Sequence, residues 1–449
     1  MNNDVQPDVE SVFADAPIRP FHLSVFTLSF LVVLIDGFDT QAVALVAPDI
    51  GKQWHAPAAG FGVVFSIGLV GAVIGAALFT MAADRFGRKV PLLISVALFG
   101  VVSVLTPLTW SLESLTAARF LTGLGLGGAW PILLATVTDY GPSRSRMVTT
   151  ALATCGFPVG ATCAGLFTPL LLGPLGWPGV FLVGGLLPLV LLPVIAWLLP
   201  ESGRFLIARD RRAALDRVMR RLGRPDLVGQ PLRARPVTRR LPVSGLFAEG
   251  RTAGTLLLWL TLFFSLLLAY FLNSWITTVA RASGFDAHTA ILGAAALNLG
   301  GVVGCVVLGR LLGRRRRPAL AIGGCYVVGA VFVALIGQVH SSGTLLLATV
   351  FVAGVFTIGA QLCTLPMIAA FYRVEERATG FGWSMGVGRS GGILGPAIGG
   401  VLVAAGFTSS SLFFVGGLFA FGAAVAIVCF GRFGLRESAS EERLAPSLS

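Results

Sequence analysis

Four charged residues sit where charge is hard to keep. Asp36 and Asp39 fall inside the apolar run LSFLVVLIDGFDTQAVALVAPDI, Arg119 opens another such run, and Arg389 lies near the middle of a third, in VGRSGGILGP. An ionised carboxylate in hydrocarbon costs several kcal/mol, so it must face a wet cavity, meet a cation or take a proton. Asp36 and Asp39 are three residues apart and are expected on one helix face. At about 1.5 Å per residue from Phe21, Asp36 lies roughly 22 Å into its span, in the outer half of a bilayer. A carboxyl that can be neutralised at that depth is what proton coupling requires; the alternative is a structural polar pair between helices. Arginine stays charged and pairs with carboxylates in bidentate fashion. One arginine can balance the aspartates while the other holds an anionic solute, and the sequence leaves open which does which. For Arg119 the alternative is snorkelling to the headgroups. Arg389 has no surface near it.

Other polar residues lie within apolar runs: Asn273, Ser274, Asn298, Thr357 and Gln361. Phe38, Trp130, Phe157, Tyr270, Trp275 and Trp383 add aromatic surface. A cavity lined by both kinds suits a flat, apolar ring with a charged end. Each aromatic taken alone is more often helix packing or interface belt than a ligand contact. No Ser-His-Asp set, metal cluster or phosphate loop is legible, so an enzyme, a metal and a cofactor are not expected. Cys155, Cys163, Cys305, Cys325, Cys363 and Cys429 all lie in apolar runs without a CxxC pair, and read as small packing residues. Gly123, Gly125 and Gly128 match GxGxxG, but no strand precedes them; in a membrane helix such glycines let a neighbour approach.

The elements that must carry these residues follow from composition. Apolar residues make up 55% of the chain and charged residues 12%, about half the charged share of a soluble domain. Runs long enough to span a bilayer are expected near 21–47, 58–81, 90–108, 115–139, 147–171 and 177–199, then near 254–280, 287–312, 318–339, 343–371, 377–404 and 408–431. The first run is too long for a signal peptide and is read as a retained span. The net charge of +12 is not a nucleic-acid face, because the basic residues cluster between spans. Arg85, Arg88 and Lys89, then Arg144 and Arg146, then Arg310 and Arg314 to Arg317, then Arg373 and Arg377 occupy every even-to-odd loop, and Arg432, Arg436 and Arg443 follow the last span. The opposite loops hold little beyond Lys52 and Arg281. Both termini are therefore expected in the cytoplasm. The expected organisation is an all-α polytopic membrane protein of twelve transmembrane helices: a tail at 1–20, a six-helix bundle at 21–199, an Arg-rich cytoplasmic loop at 200–253, a second six-helix bundle at 254–431 and a tail at 432–449. Gly156-x-x-x-Gly160 and Gly388-x-x-x-Gly392 echo each other between the halves, and two similar bundles with a midplane site is a common carrier plan.

These residues are similar to those of the major facilitator superfamily, and within it the aromatic acid:proton symporters of the benzoate and 4-hydroxybenzoate type. The matching stretches are DGFDTQAVALVAPDI, DRFGRK, RFLTGLGLGGAWP, LPESGRFL and RATGFGWSMGVGRSGGILGP, over about residues 20–435. The resemblance implies proton-coupled uptake of a hydroxybenzoate or benzoate across a bacterial inner membrane by a monomeric carrier, with roles for Asp36, Asp39, Arg119 and Arg389. It also implies a conformational latch at Asp84, Arg85, Gly87 and Arg88, with Asp84 pairing with cations at neighbouring helix ends. Departures fall at Thr80, where the family's glycine would stand, at Arg310 in place of the second latch acid, at Arg373, and at Leu362, Cys363 and Thr364 after Gln361. The rivals are a proton-coupled exporter or antiporter, or an importer of another organic acid, on the same fold, and a membrane sensor of such acids.

Overall fold

The computed structural model describes residues 7–14, 16, 19–142, 146–234, 243–248, 250–312, 317–373 and 376–434. Several basic residues used above to orient the chain (Arg144, Arg314 to Arg316, Arg436 and Arg443) lie outside these residues. The described chain is almost wholly helical. Short α1 (Val9–Ala14) precedes α2 (Pro20–Trp54), α3 (Phe61–Phe86), α4 (Lys89–Leu105), α5 (Leu112–Tyr140), α6 (Arg146–Thr154) and α7 (Gly156–Leu198). Two short helices follow, α8 (Gly203–Ala208) and α9 (Arg212–Leu222). The second half holds α10 (Thr252–Ala282), α11 (Ala287–Leu312), α12 (Pro318–Ile336), α13 (Gly343–Phe371), α14 (Arg377–Ala404) and α15 (Ser409–Cys429).

Eleven of these stretches are long and apolar enough to cross a membrane, and one of them, Leu152–Leu198, is 47 residues long. At about 1.5 Å per residue that is far more than the ~30 Å of a hydrocarbon core. Its continuity is broken at Gly176, where φ is 65° and ψ −172°, a conformation open to glycine and costly to other residues. The break makes two spans of α7 and brings the total to twelve. Three of the helices that start at the end away from the basic loops are capped by hydroxyls: Ser111 on α5, Ser342 on α13 and Thr408 on α15 each accept from a backbone N–H one turn on.

Within each half the same helix pairs pack closely. In the first half α2 lies along α7 and α3 along α5; in the second α10 lies along α14 and α11 along α13. Small residues permit this. A side chain at Gly160 would strike the backbone of Leu34, and one at Gly391 would strike that of Phe263. With no hydrophobic drive between helices in lipid, such backbone approach is what holds them together. The GxGxxG stretch has this use: Gly123 lies on the backbone of Gly68 and Gly125 on that of Phe99.

The beginning of the chain departs from expectation. It reads as a polar tail, yet Val9, Val12, Phe13 and Ala16 are all buried. Phe13 packs on the Tyr140 ring with centroids 4.8 Å apart. Asp8 and Arg233 form a parallel β-bridge, with Val9 N–H donating to Arg233 at 2.9 Å. The central segment is folded against the same surface: α9 buries Leu215, Val218, Met219 and Leu222 and turns its arginines outward. Together they form a cap on the basic end of the first half.

Candidate functional site

Asp36 and Asp39 point different ways. Three residues of helix leave them about 60° apart in rotation, enough to place one on the seam between the halves and the other inside the first half. Asp39 is 1% exposed and Arg119 4% exposed, and they form an ion pair at 3.0 Å. Ser103 Oγ donates to the other carboxylate oxygen of Asp39 at 2.5 Å, and Arg119 donates to Thr106 Oγ1 at 3.1 Å. The Phe181 ring lies 4.9 Å from the Arg119 guanidinium. Two charges so enclosed are tolerable because each neutralises the other, with Ser103 and Thr106 adding hydrogen bonds; the buried Arg119 Nε has no partner among the described residues. Arg119 is therefore neither at the headgroups nor free to bind solute in this conformation.

Asp36 is half-buried and, among the described residues, accepts a hydrogen bond from Thr40 Oγ1 alone, at 3.2 Å. It is within electrostatic range of Arg389 on α14, as is Tyr270 on α10. Among the described residues Arg389 has no carboxylate within 4.0 Å. Its guanidinium lies 5.7 Å from the Trp130 ring of α5. Tyr270 packs on Gly392, one turn from Arg389, and the backbone of Phe157 lies against Gly37, beside Asp36. Asp36 and Trp130 from the first half thus lie near Arg389 from the second, while Phe157 packs against the first-half core.

The remaining expected site residues lie elsewhere. Asn298 donates to Asn273 Oδ1 at 2.7 Å, and Gln41 Nε2 donates to the Asn273 backbone carbonyl at 3.0 Å, joining the halves. The Trp275 indole is fully buried and donates to the Pro396 carbonyl at 3.1 Å. Phe38 is buried in the core beside Gly184. Trp383 stacks on Trp259 at 6.1 Å, about two turns from Arg389. Ser274 is buried, Thr357 donates to the Ala353 carbonyl, and Gln361 is half-buried on α13.

The end away from the basic loops is fastened across the seam. Arg281 forms an ion pair with Asp49 at 2.7 Å, and Ser66 Oγ donates to the Ile393 carbonyl at 2.7 Å. Gly62 lies against the backbones of Pro396 and Gly400. Arg281, an exception to the charge asymmetry of the loops, is thus a cross-half tie. At the basic end the residues expected to form a latch make separate contacts. Arg88 pairs with Asp139 at 2.6 Å. The Glu201 carboxylate accepts from the backbone N–H of Arg88 at 2.6 Å and packs where a side chain at Gly87 (φ 87°) would stand. Tyr140 donates to the Glu201 carbonyl. The Arg85 carbonyl accepts from Arg209. Asp84 is exposed and, among the described residues, makes no ion pair.

Ser103, Thr106 and Phe181 were not legible as site residues, since hydroxyls and rings are common in membrane helices. Asp139 and Glu201 carried more signal, as acids beside the basic loops and, for Glu201, as part of LPESGRFL.

Comparison with known proteins bears on what this arrangement serves. The model of the Major Facilitator Superfamily matches residues 29–364 and 258–447. A gallate transporter of Pseudomonas putida is 36% identical over 96% of this chain and 97% of its own length. A 4-hydroxybenzoate transporter of Pseudomonas aeruginosa is 38% identical over 89% of this chain and 90% of its own. A benzoate transport protein of Acinetobacter baylyi is 30% identical over 88% and 86%. Among solved structures, an inward-facing, occupied bacterial homologue of the human lysosomal transporter Spinster superposes with a TM-score of 0.70, at 17% identity, over 96% of this chain and all of that one.

Proposed function

The chain belongs to the major facilitator superfamily, and from that premise we propose that it imports a small aromatic carboxylate together with a proton. It is a transporter and not an enzyme. The observation that supports the coupling is that Asp36 lies within electrostatic range of Arg389 from the other half, while Asp39 and Arg119 neutralise each other within the first half.

The division of labour follows. Of Arg119 and Arg389, it is Arg389 that has no bonded carboxylate among the described residues, so it takes the solute's carboxylate. Trp130 already lies beside its guanidinium and supplies an aromatic wall for the ring; Tyr270 flanks the same place. With Asp36 ionised, Arg389 feels a resident counter-ion and a second carboxylate is repelled. With Asp36 protonated, that competition is gone and the anion binds. Solute and proton therefore travel together, because a charge left unbalanced in the closed seam costs several kcal/mol. Asp39 acts through Arg119 as a positioning residue that keeps α2, α4 and α5 in register.

In the described conformation the far end is fastened by Asp49–Arg281, Gln41–Asn273 and Ser66–Ile393. Alternating access then means exchange between this state and one in which those ties open and the basic end closes, with Asp84 gaining a partner there. The basic end faces the cytoplasm of a bacterial inner membrane, with both termini on that side. The test is uptake of labelled 4-hydroxybenzoate, gallate and benzoate into proteoliposomes holding an inside-alkaline pH gradient. At least one acid accumulates above its equilibrium level, and a protonophore abolishes the excess. Accumulation unaffected by the protonophore, or confined to non-aromatic acids, contradicts the reading.

A further inference from the structure

Three of the six cysteines do more than fill space. Cys155 begins α7 in the first half; Cys305 lies on α11 and Cys363 on α13 in the second. The helices α7 and α11 touch across the seam and run in opposite directions, and a side chain at Gly165 would strike Ala295. Ten residues from that crossing toward the basic end bring α7 to Cys155 and α11 to Cys305. The two positions are therefore level, roughly 15 Å from the crossing. The thiols of Cys155 and Cys305 are close enough to interact electrostatically. Cys363 Sγ lies 4.0 Å from the Cys305 backbone carbonyl and completes the group. All three are half-buried. The level is on the basic-end side of the site: Gly156 lies on Phe30, six residues and about 9 Å before Asp36 along α2.

We propose that Cys155 and Cys305 form a binding site for a soft, thiol-seeking divalent cation of the mercuric type, and that filling it locks the two halves together at the basic end. Each thiol releases one proton and contributes one sulfur, giving a sulfur–metal–sulfur bridge with no change in oxidation state. Thiolates are the ligands such ions prefer. The bridge joins helices of opposite halves at the level where a rocking carrier must part and close, so it stops the cycle wherever it forms. That consequence rests on the carrier reading above; the site itself does not.

Two measurements separate them. A protease site introduced between residues 235 and 242 lets the halves be cut apart after treatment with a short bifunctional maleimide, and a denaturing gel then shows whether they remain joined. The halves are expected to stay joined in the parent protein and in Cys363→Ser, and to separate in Cys155→Ser and Cys305→Ser. Separation in the parent, or joining that survives Cys155→Ser, overturns the site. In proteoliposomes, stoichiometric mercuric ion is expected to cut aromatic-acid uptake at least tenfold, reversibly with dithiothreitol, and to leave both serine variants within twofold of their untreated rate. Equal inhibition of the Cys155→Ser variant overturns the lock. Should no acid be taken up by the untreated parent, the gel result still stands, and it is the carrier reading that has failed.

Discussion

Replacing Asp39 by Asn tests how the two aspartates divide their work. The substitution keeps volume and removes one charge, so any large effect is electrostatic. Asp39 and Arg119 are 1% and 4% exposed and lie 3.0 Å apart, with Thr106 and the Phe181 ring closing the guanidinium's surroundings. Removing one partner of a buried pair leaves the other charge without compensation, at a cost of about 3–5 kcal/mol. The same change at Asp36 removes a carboxylate with no ion pair and a single hydrogen bond from Thr40, worth about 1 kcal/mol. Asp39→Asn is therefore expected to unfold at markedly lower SDS fraction in detergent mixtures, read by tryptophan fluorescence, while Asp36→Asn unfolds close to the parent. The double variant Asp39→Asn/Arg119→Gln should recover a large part of the loss, giving a coupling of at least about 2 kcal/mol in the cycle. Equal stability of the two Asn variants, or additive single effects, refutes the assignment of Asp39 to structure and Asp36 to transport.

Other outcomes follow from the same contacts. Arg281→Ala removes the ion pair to Asp49 and should shift the population toward the state open at the far end roughly fivefold, about 1 kcal/mol for a partly exposed pair, read as faster labelling of a reporter cysteine at position 66. Arg389→Ala should raise the Kd for the aromatic acid at least tenfold in scintillation proximity binding, whereas Trp130→Ala should raise it severalfold by removing the ring wall. Phe13→Ala opens a cavity against Tyr140 and should detach the cap, at about 3–4 kcal/mol, seen as faster tryptic cleavage within 200–234 with the bundle intact.

Much of the fold was written in the hydropathy of the chain, because a helix in lipid must satisfy its backbone internally and therefore advertises its length. Expected and observed ends agree closely at 343–371 and 377–404, whereas α2 continues to Trp54 beyond the apolar run and α7 starts at Gly156, after the expected 147. The N-terminal segment was expected as a tail, yet part of it packs on the first half. Its apolar residues stand at 9, 12, 13 and 16, the i, i+3, i+4, i+7 spacing of a helix face, and that signal was present. Asp36, Asp39, Arg119 and Arg389 were identifiable as charges out of place, but not their pairing. The partner of Asp39 depends on how α2 is rotated against α4 and α5, and that rotation is set by contacts such as Gly37 on Phe157 and Gly160 on Leu34 that no local pattern encodes. Trp275 shows the same limit: its aromatic surface suited a ligand, while its indole N–H is taken by Pro396.

The central claim is that Asp36 is the proton carrier set against Arg389. Its most direct test is to follow internal pH with an entrapped dye while 4-hydroxybenzoate is added to proteoliposomes. The parent protein should acidify the lumen in step with solute entry, and Asp36→Asn should exchange pre-loaded solute while giving no proton signal. Solute entry without acidification in the parent, or acidification undiminished in Asp36→Asn, contradicts the account.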